Sequence, residues 1–139
     1  LFDFMTLLYR DFGVTHPANQ RINSCVFGTN RAPPMLSFRC KTSEISEVRV
    51  EFSPGESLLR ALMRAQVPGI PAECGGGGAC ATCHVQLDPR WHDLPPPDDR
   101  ELDMLSFVID PTPDSRLACR VRLTAPCAEG LVTVAAQQL

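Results

Sequence analysis

Residues 74–83 read CGGGGACATC, and this stretch decides how the rest of the chain is interpreted. It contains three cysteines, Cys74, Cys80 and Cys83, in the spacing C-x5-C-x2-C, with four consecutive glycines between the first two. A fourth cysteine, Cys119, follows after residues 84–118. Three thiols in one loop and a fourth from a distant part of the chain are the arrangement expected for the ligands of one [2Fe-2S] cluster.

The glycines between the first two cysteines suit a loop that wraps around a negatively charged group. Because glycine has no Cβ, this backbone can adopt positive φ angles and turn several N–H groups inward toward sulfur. Two ferric ions, two sulfides and four thiolates sum to a formal charge of about −2, so a buried cluster requires such donors. We expect these hydrogen bonds and the access of solvent to set the reduction potential of the site.

Three other kinds of site also use cysteines. Structural zinc commonly takes two separated C-x2-C knuckles, whereas three of the candidate ligands here share one loop. A disulfide framework fits poorly, because seven cysteines is an odd number and 139 residues can form a core without cross-links. A Rieske centre needs two histidine ligands, and only His84 is adjacent to the loop. In an extended segment His84 points away from the side taken by Cys83, which favours a hydrogen-bonding role.

Length and composition indicate one globular domain with an appendage. No apolar run approaches the ~20 residues that a membrane-spanning helix needs. The net charge of −3 speaks against nucleic acid as a partner. The cysteines outside the loop pattern, Cys25, Cys40 and Cys127, fit free thiols in a reducing compartment, with Cys40 expected in the core.

Residues 1–35 are predicted to be an N-terminal extension. Four large apolar residues at helical spacing predict a short amphipathic helix: Phe2, Met5, Tyr9 and Phe12. Residues 13–35 lack periodicity and end near two prolines, which is typical of an extended strap. Since so short a helix is marginal alone in water, we expect the apolar stripe to tether the chain to a partner protein. Packing on the chain's own sheet and a matrix-targeting peptide are the alternatives, and the acidic residues Asp3 and Asp11 disfavour the targeting peptide.

Residues 36–139 are predicted to form an α+β domain. Alternating apolar residues predict two strands, at residues 36–41 and 47–52, joined as a hairpin. Ser53 is expected to cap the first helix, with Glu56 completing a capping box and Leu58, Leu59, Leu62 and Met63 forming its apolar face. After the cysteine loop, residues 84–87 are predicted to form a short strand.

The remainder of the domain is predicted to contain one more helix and two more strands. Asp98 and Asp99 are expected to open the helix, where negative charge is favoured, and Leu102, Leu105 and Ile109 are expected to face the core. The strands are predicted at residues 119–123 and 131–134. Residues 88–114 carry eight acids and two arginines, a local net charge of −6, and Asp99 and Asp103 are expected to face solvent together.

Five segments occur in a recognisable order and spacing: PGESLLRALM, CGGGGACATCHV, ELDML, SRLAC and EGLVTV. Over about residues 36–134 they resemble the adrenodoxin-like [2Fe-2S] ferredoxins, which are also called vertebrate-type and include iron-sulfur-assembly ferredoxins. The five-residue gap between the first two cysteines differs from the four of plant-type ferredoxins. The resemblance implies a β-grasp (ubiquitin-like) fold and a one-electron carrier rather than an enzyme, and in this chain we expect that fold to carry the N-terminal extension. It also implies that the cluster ligands are Cys74, Cys80, Cys83 and Cys119.

The resemblance further implies particular partners. The donor would be an NAD(P)H-dependent flavoprotein ferredoxin reductase, the acceptors would be other proteins, and the location would be the mitochondrial matrix or the bacterial cytoplasm. Asp99, Glu101 and Asp103 match acidic positions of the helix that docks basic partners in this family. Arg100 and Ser106 stand where adrenodoxins carry further acids, so the match is incomplete.

The extension at residues 1–35 has no counterpart in the small soluble carriers of this family. Some lineages have recruited such ferredoxins as accessory subunits of mitochondrial respiratory complex I, where an amphipathic extension would suit attachment. Two interpretations therefore follow: a diffusing one-electron carrier, or a subunit fixed among neighbouring subunits of that complex, with a structural or regulatory cluster.

Overall fold

The hairpin predicted from alternating apolar residues begins the domain. In the computed structural model, which describes residues 35–139, β1 (Leu36–Lys41) pairs antiparallel with β2 (Val48–Phe52). The alternation buries Phe38 and Cys40 on one strand and Val50 and Phe52 on the other. The predicted N-terminal helix, strap and tether stripe lie outside the described residues, as does Cys25.

Three later strands extend this hairpin into a five-stranded mixed sheet of order β2-β1-β5-β3-β4. These are β3 (His84–Leu87), β4 (Ser115–Leu117) and β5 (Leu131–Val134). β5 lies parallel to β1, whereas β3 lies antiparallel to both β5 and β4. Two short helices, α1 (Leu58–Arg64) and α2 (Asp99–Leu105), and a 3-10 turn (Ala125–Cys127) complete the domain. The α+β, β-grasp expectation is confirmed, with β3 and β5 at their predicted positions.

The start of α1 was predicted wrongly. The helix begins at Leu58, and the N-cap is Ser57, whose Oγ accepts a hydrogen bond from the Arg60 N–H at 3.3 Å. Gly55 has a φ of +86°, which interrupts a helix that would begin at Ser53. The buried face of α1 contains Leu58, Leu59, Ala61 and Leu62, and Met63 is exposed rather than buried.

The start of α2 was predicted correctly, but its buried face was not. Asp98 is the N-cap, and its carboxylate accepts a hydrogen bond from the Glu101 N–H at 2.8 Å. Leu105 is buried as expected, whereas Leu102 and Ile109 are exposed. Glu101 and Val108 are buried instead. Glu101 can face the core because its carboxylate pairs with Arg116. Ile109 does not follow the predicted helical face because α2 ends at Leu105.

The strand expected after Cys119 lies before it instead, as β4. Residues 121–123 run beside the beginning of α1: the Leu58 N–H donates to the Val121 carbonyl, and the Leu123 N–H donates to the Glu56 carbonyl, both at 2.9 Å. The alternation of buried Val121 and Leu123 therefore reflects pairing with the segment that leads into α1. This arrangement places Cys119 between β4 and α1. Within residues 35–139, no helix is long and apolar enough to cross a membrane.

Candidate metal centre

The glycine-rich loop is closed at its base by hydrogen bonds between its two ends. The Ala72 N–H donates to the Thr82 carbonyl at 3.3 Å, and the Glu73 N–H donates to the Thr82 Oγ1 at 3.0 Å. Inside the loop, Gly75 and Gly76 have φ angles of +62° and +94°, as the run of glycines predicts. Positive φ at successive positions lets the backbone curl around a small volume with its N–H groups inward.

Backbone contacts bring the distant fourth cysteine to this loop. The Ala118 N–H donates to the Cys83 carbonyl at 2.9 Å, and the Ala118 carbonyl accepts from the Leu59 N–H at 3.0 Å. A Cβ built on Gly76 would lie 3.9 Å from the Cys119 Cβ and 3.4 Å from the Leu59 Cδ2. The loop therefore lies directly on Cys119 and the first turn of α1, and the positive φ of Gly76 is what favours glycine at this position.

The four thiols interact as neighbours in one site. The Cys80 Sγ accepts a hydrogen bond from the Cys74 N–H at 3.3 Å and lies 3.1 Å from the Thr82 Oγ1. The Cys80 thiol is close enough to Cys74 to lower its pKa, and Cys83 and Cys119 shift each other's pKa in opposite directions. Charge interactions then link Cys74 with Cys119 and Cys80 with Cys83. The structure thus brings together all four cysteines singled out in the sequence.

The loop stabilises the charged form of its first thiol. Backbone hydrogen bonds, first from Ala79 and then from Gly76 and Gly78, together with one from the Cys80 side chain, lower the pKa of Cys74 to about 6. Since cluster and metal ligation needs thiolates, this environment prepares Cys74 for binding near neutral pH.

The pKa values of the two buried thiols shift in opposite directions. A hydrogen bond from Cys83 lowers the pKa of Cys119 to about 7, with a smaller contribution from the charge of Arg120. The pKa of Cys83 is raised, first by that same hydrogen bond and then by burial. Cys83 and Cys119 are buried, whereas Cys74 and Cys80 are partly exposed, so one side of the site reaches the protein surface.

The residues present fit a [2Fe-2S] cluster. Four soft sulfur donors suit iron-sulfur or zinc chemistry, and the inward N–H groups suit a site with net negative charge. Arg120 adds a cation beside the loop, and its Nε is buried without an acceptor among the described residues. Within residues 35–139, no three His, Cys, Asp or Glu side chains are grouped to hold a single metal ion. A binuclear cluster requires only two protein sulfurs at each iron.

His84 is a structural histidine, as the sequence predicted. Its Nε2 lies 2.7 Å from the Ser115 Oγ, which joins β3 to β4, and burial lowers its pKa. The other described thiols, Cys40 and Cys127, are buried in the hydrophobic core, which confirms the expectation for Cys40.

The three acids predicted to form a docking surface do not lie together. Asp99 and Asp103 are exposed on α2, but Glu101 is only 2% exposed. The Glu101 carboxylate accepts hydrogen bonds from Arg116 at 2.8 and 3.0 Å and from the Leu117 N–H at 2.8 Å. A docking role for Glu101 is therefore wrong, because its charge is neutralised inside the domain.

Two apolar side chains near the exposed acids were missed by the sequence analysis. Leu102 is 51% exposed and Phe107 is 61% exposed. Leu102 follows Asp99 by three residues, which is the spacing of neighbours on a helix surface, and Phe107 lies in the turn just after the end of α2. Helical periodicity predicted that Leu102 is buried. That prediction fails because Glu101 is buried by pairing with Arg116, and no local signal in the sequence identifies this pair.

Comparisons with known proteins agree with this geometry. Residues 41–124, which contain all four cysteines of the site, match the family described as 2Fe-2S iron-sulfur cluster binding domain. Ferredoxin CarAc of a Sphingomonas species is 50% identical over 76 residues, which cover 54% of this chain and 70% of that protein. The crystal structure of a Rhodopseudomonas palustris ferredoxin superposes with a TM-score of 0.70 and 31% identity, covering 74% of this chain and 99% of that chain. The covalent complex of putidaredoxin reductase with putidaredoxin also contains a similar chain, with a TM-score of 0.68, 27% identity, and coverage of 73% and 99%.

Proposed function

The chain belongs to the family of [2Fe-2S] cluster-binding ferredoxins, and on that premise we propose which of its residues hold the cluster and dock its partners. It binds a [2Fe-2S] cluster, carries electrons and is not an enzyme. The zinc, Rieske and disulfide alternatives raised by the cysteines are therefore set aside. The comparisons give no support to the alternative of a fixed complex I subunit.

The proposed cluster ligands are Cys74, Cys80, Cys83 and Cys119. The observation that carries this assignment is the network of contacts that joins these four thiols, and no other described cysteine takes part in it. When bound, the cluster supplies a centre that takes up and returns one electron. The chain contributes thiolates, the inward N–H groups of the glycine loop, and the Thr82 hydroxyl beside the Cys80 sulfur.

Electrons are proposed to enter and leave through the loop rather than through the core. The side of the site formed by Cys74 and Cys80 is partly exposed, whereas β4 and α1 cover Cys83 and Cys119. A groove of about 320 Å³ separates the loop from α2 and is lined by both. A protein docked over the loop and α2 would therefore lie beside the exposed side of the site.

The ligand assignment is tested by replacing one cysteine at a time. Serine at Cys74, Cys80, Cys83 or Cys119 should abolish or alter the visible absorption of the purified protein and lower its iron content. Alanine at Cys40 or Cys127 is the matched control, because it removes a buried thiol from the core without touching the site. An unchanged spectrum after Cys119→Ser would contradict the assignment.

The proposed electron donor is an NAD(P)H-dependent flavoprotein reductase that docks on the exposed side of α2. Asp99 and Asp103 lie there, and they contribute to the net charge of −6 over residues 88–114. Such a field attracts a basic partner and accelerates association. Putidaredoxin, which has a similar structure, has been crystallised in a covalent complex with putidaredoxin reductase. Exposed Leu102 and Phe107 add apolar area that a partner can bury.

The role of residues 1–35 as a partner tether stays a proposal that rests on the apolar stripe of the sequence. Four large side chains, each contributing ~1.5 to 3 kcal/mol when fully buried, would stabilise an interface by several kcal/mol. Deleting residues 1–34 should leave the cluster spectrum and thermal stability intact while abolishing co-purification with a partner. Loss of the cluster in the deletion variant would instead favour packing of the stripe on the chain's own sheet. The mitochondrial or bacterial cytoplasmic location also stays a prediction.

A further inference from the structure

Arg120 lies flat against the cysteine loop instead of extending into solvent. A Cβ built on Gly78 would lie 3.0 Å from the Arg120 Nε, 3.4 Å from its Cζ and 3.5 Å from its Cδ. Gly78 has a φ of +71°, which favours glycine, and an added Cβ would also press against the guanidinium. The groove between the loop and α2 is lined by Arg120 on one side and Arg100 on the other. The side chain that follows Cys119 is therefore part of the wall of the metal centre.

The hydrogen-bonding capacity of this guanidinium is incompletely used by the described part of the chain. Its Nε is buried and has no acceptor within residues 35–139. The closest carboxylate contact, from Nη2 to the Asp98 Oδ2, is 3.7 Å long and therefore exceeds hydrogen-bond distance. A buried donor without an acceptor costs stability, so its position calls for an acceptor that residues 35–139 do not provide.

The neighbouring arginines behave differently. Arg116 is bound by the Glu101 carboxylate through two hydrogen bonds, and Arg122 has an exposed side chain. Only Arg120, among these three, combines a buried unpaired donor with contact against the loop.

We propose that Arg120 raises the reduction potential of the bound cluster by placing a donor and a positive charge against the loop. This inference rests on the proposed function, because it requires the cluster to be bound at the four cysteines. Reduction transfers one electron from an external donor, with no bond formed or broken, and makes the site more negative by one charge. A fixed, poorly hydrated cation stabilises the reduced site more than the oxidised site, so reduction becomes easier.

Arginine is better suited to this role than lysine. Its guanidinium is planar, stays charged, and presents Nε–H in a fixed direction, whereas a lysine ammonium is a strongly hydrated point charge on a flexible stem. Lysine at position 120 should therefore preserve part of the effect, and a neutral side chain should preserve none.

The experiment is a redox titration of the full chain, followed by visible absorption in the presence of mediator dyes, with dithionite as reductant. Arg120→Gln and Arg120→Met should titrate at more negative potentials than the parent protein, and Arg120→Lys should lie between them. Arg122→Gln is the matched control. It removes the same charge from an exposed position two residues further along the chain, and the potential of this variant should stay at the parent value. High salt should leave the order unchanged, since screening acts weakly on a partly buried charge.

A common potential for the parent protein and all three Arg120 variants would overturn the inference. Equal shifts in Arg120→Gln and Arg122→Gln would also overturn it, because they would indicate a general effect of net charge. If the neutral variants fail to retain a cluster, the potential of Arg120→Lys tests the proposal instead. A potential equal to that of the parent protein would contradict the proposal, and a more negative potential would support it. Failure of the proposed function has a different signature, which is a parent protein that shows no reversible one-electron couple.

Discussion

Glu101 and Arg116 form a buried, bidentate ion pair that links α2 to β4. The Arg116 Nε lies 2.8 Å from the Glu101 Oε1, and its Nη2 lies 3.0 Å from the Oε2. The same carboxylate accepts the Leu117 N–H at 2.8 Å. Because β4 leads directly into Cys119, this pair also fixes the acidic helix relative to the fourth cysteine.

Removing Glu101 should destabilise the domain strongly. Glu101→Ala leaves the Arg116 guanidinium without its partner in the interior, and loss of one member of a buried pair typically lowers the free energy of unfolding by ~3 to 5 kcal/mol. Urea denaturation followed by circular dichroism measures the change. Asp103→Ala is the matched control on the same helix, and at an exposed position it should change stability by only about 0.5 kcal/mol. Equal effects of the two variants would show that the pair contributes no special stability.

Removing the exposed acids of α2 should slow docking and lower stability by only about 1 kcal/mol. The double variant Asp99→Asn/Asp103→Asn should be reduced several-fold more slowly by a ferredoxin reductase at low salt, and the difference should fade as salt screens the charges. Stopped-flow absorption measures the rate.

The control for this prediction changes the net charge by the same amount. Asp110 and Asp114 are exposed acids from the same acidic segment but lie beyond α2. Asn at both positions should slow reduction much less than Asn at Asp99 and Asp103. Similar rates for the two double variants would attribute any slowing to overall charge and would argue against a specific docking surface on α2.

Gly130→Ala should disturb the packing around Trp91. A Cβ at Gly130 would overlap the Trp91 Nε1, and Trp91 is held by an edge-on contact with Phe38 at a ring-centre distance of 5.7 Å. Overpacking of this kind costs ~1 to 3 kcal/mol. Trp91 is the one tryptophan of the chain, so its fluorescence reports the displacement directly.

Gly55→Ala is the control that separates the steric overlap at Gly130 from the strain of placing alanine at a positive φ. Gly55 has a φ of +86° but no atom within 4 Å of a built Cβ. Its substitution should lower stability through strain and leave the Trp91 emission maximum unchanged. If Gly130→Ala also leaves the emission unchanged, the close packing of Gly130 against Trp91 is incorrect.

Cys40 should be protected from alkylation in the native protein. Its side chain is fully buried between the strands, and burial raises its pKa to about 12. Because the thiolate is the reactive form, Cys40 should stay unmodified by iodoacetamide from pH 7 to pH 9 and should react once urea unfolds the chain. Peptide mass spectrometry identifies the modified residue. Stoichiometric labelling of Cys40 without unfolding would contradict its place in the core.

Local signals in the sequence predicted much of this fold. The alternation of Phe38 and Cys40 with polar neighbours identified β1, and the Cys74–Cys83 spacing with its glycines identified the candidate ligand loop. In both cases the information lies within a few consecutive residues. The start of α2 at Asp98 and Asp99 was predicted for the same reason, and the structure adds that Asp98 is the N-cap.

Features that depend on distant partners were not predicted. Hydrophobic periodicity assumes that a glutamate faces solvent, so the predicted buried face of α2 was rotated by about one residue and contained Leu102. In the structure Glu101 takes the buried position, because Arg116 neutralises its charge in the core. The position of β4 depends on pairing with β3, and the position of Arg120 depends on the contact of its side chain with Gly78. No short stretch of sequence contains these relationships.

The central claim is that this chain holds one [2Fe-2S] cluster that accepts a single electron, and a reductive titration tests it most directly. Iron and acid-labile sulfide are first measured in the protein as purified, and dithionite is then added anaerobically while visible absorption is recorded. The account predicts about two irons and two sulfides per chain, with bleaching complete after about one electron and full recovery on reoxidation. A colourless protein that contains zinc and no sulfide, or a chromophore that takes up no electron reversibly, would contradict it.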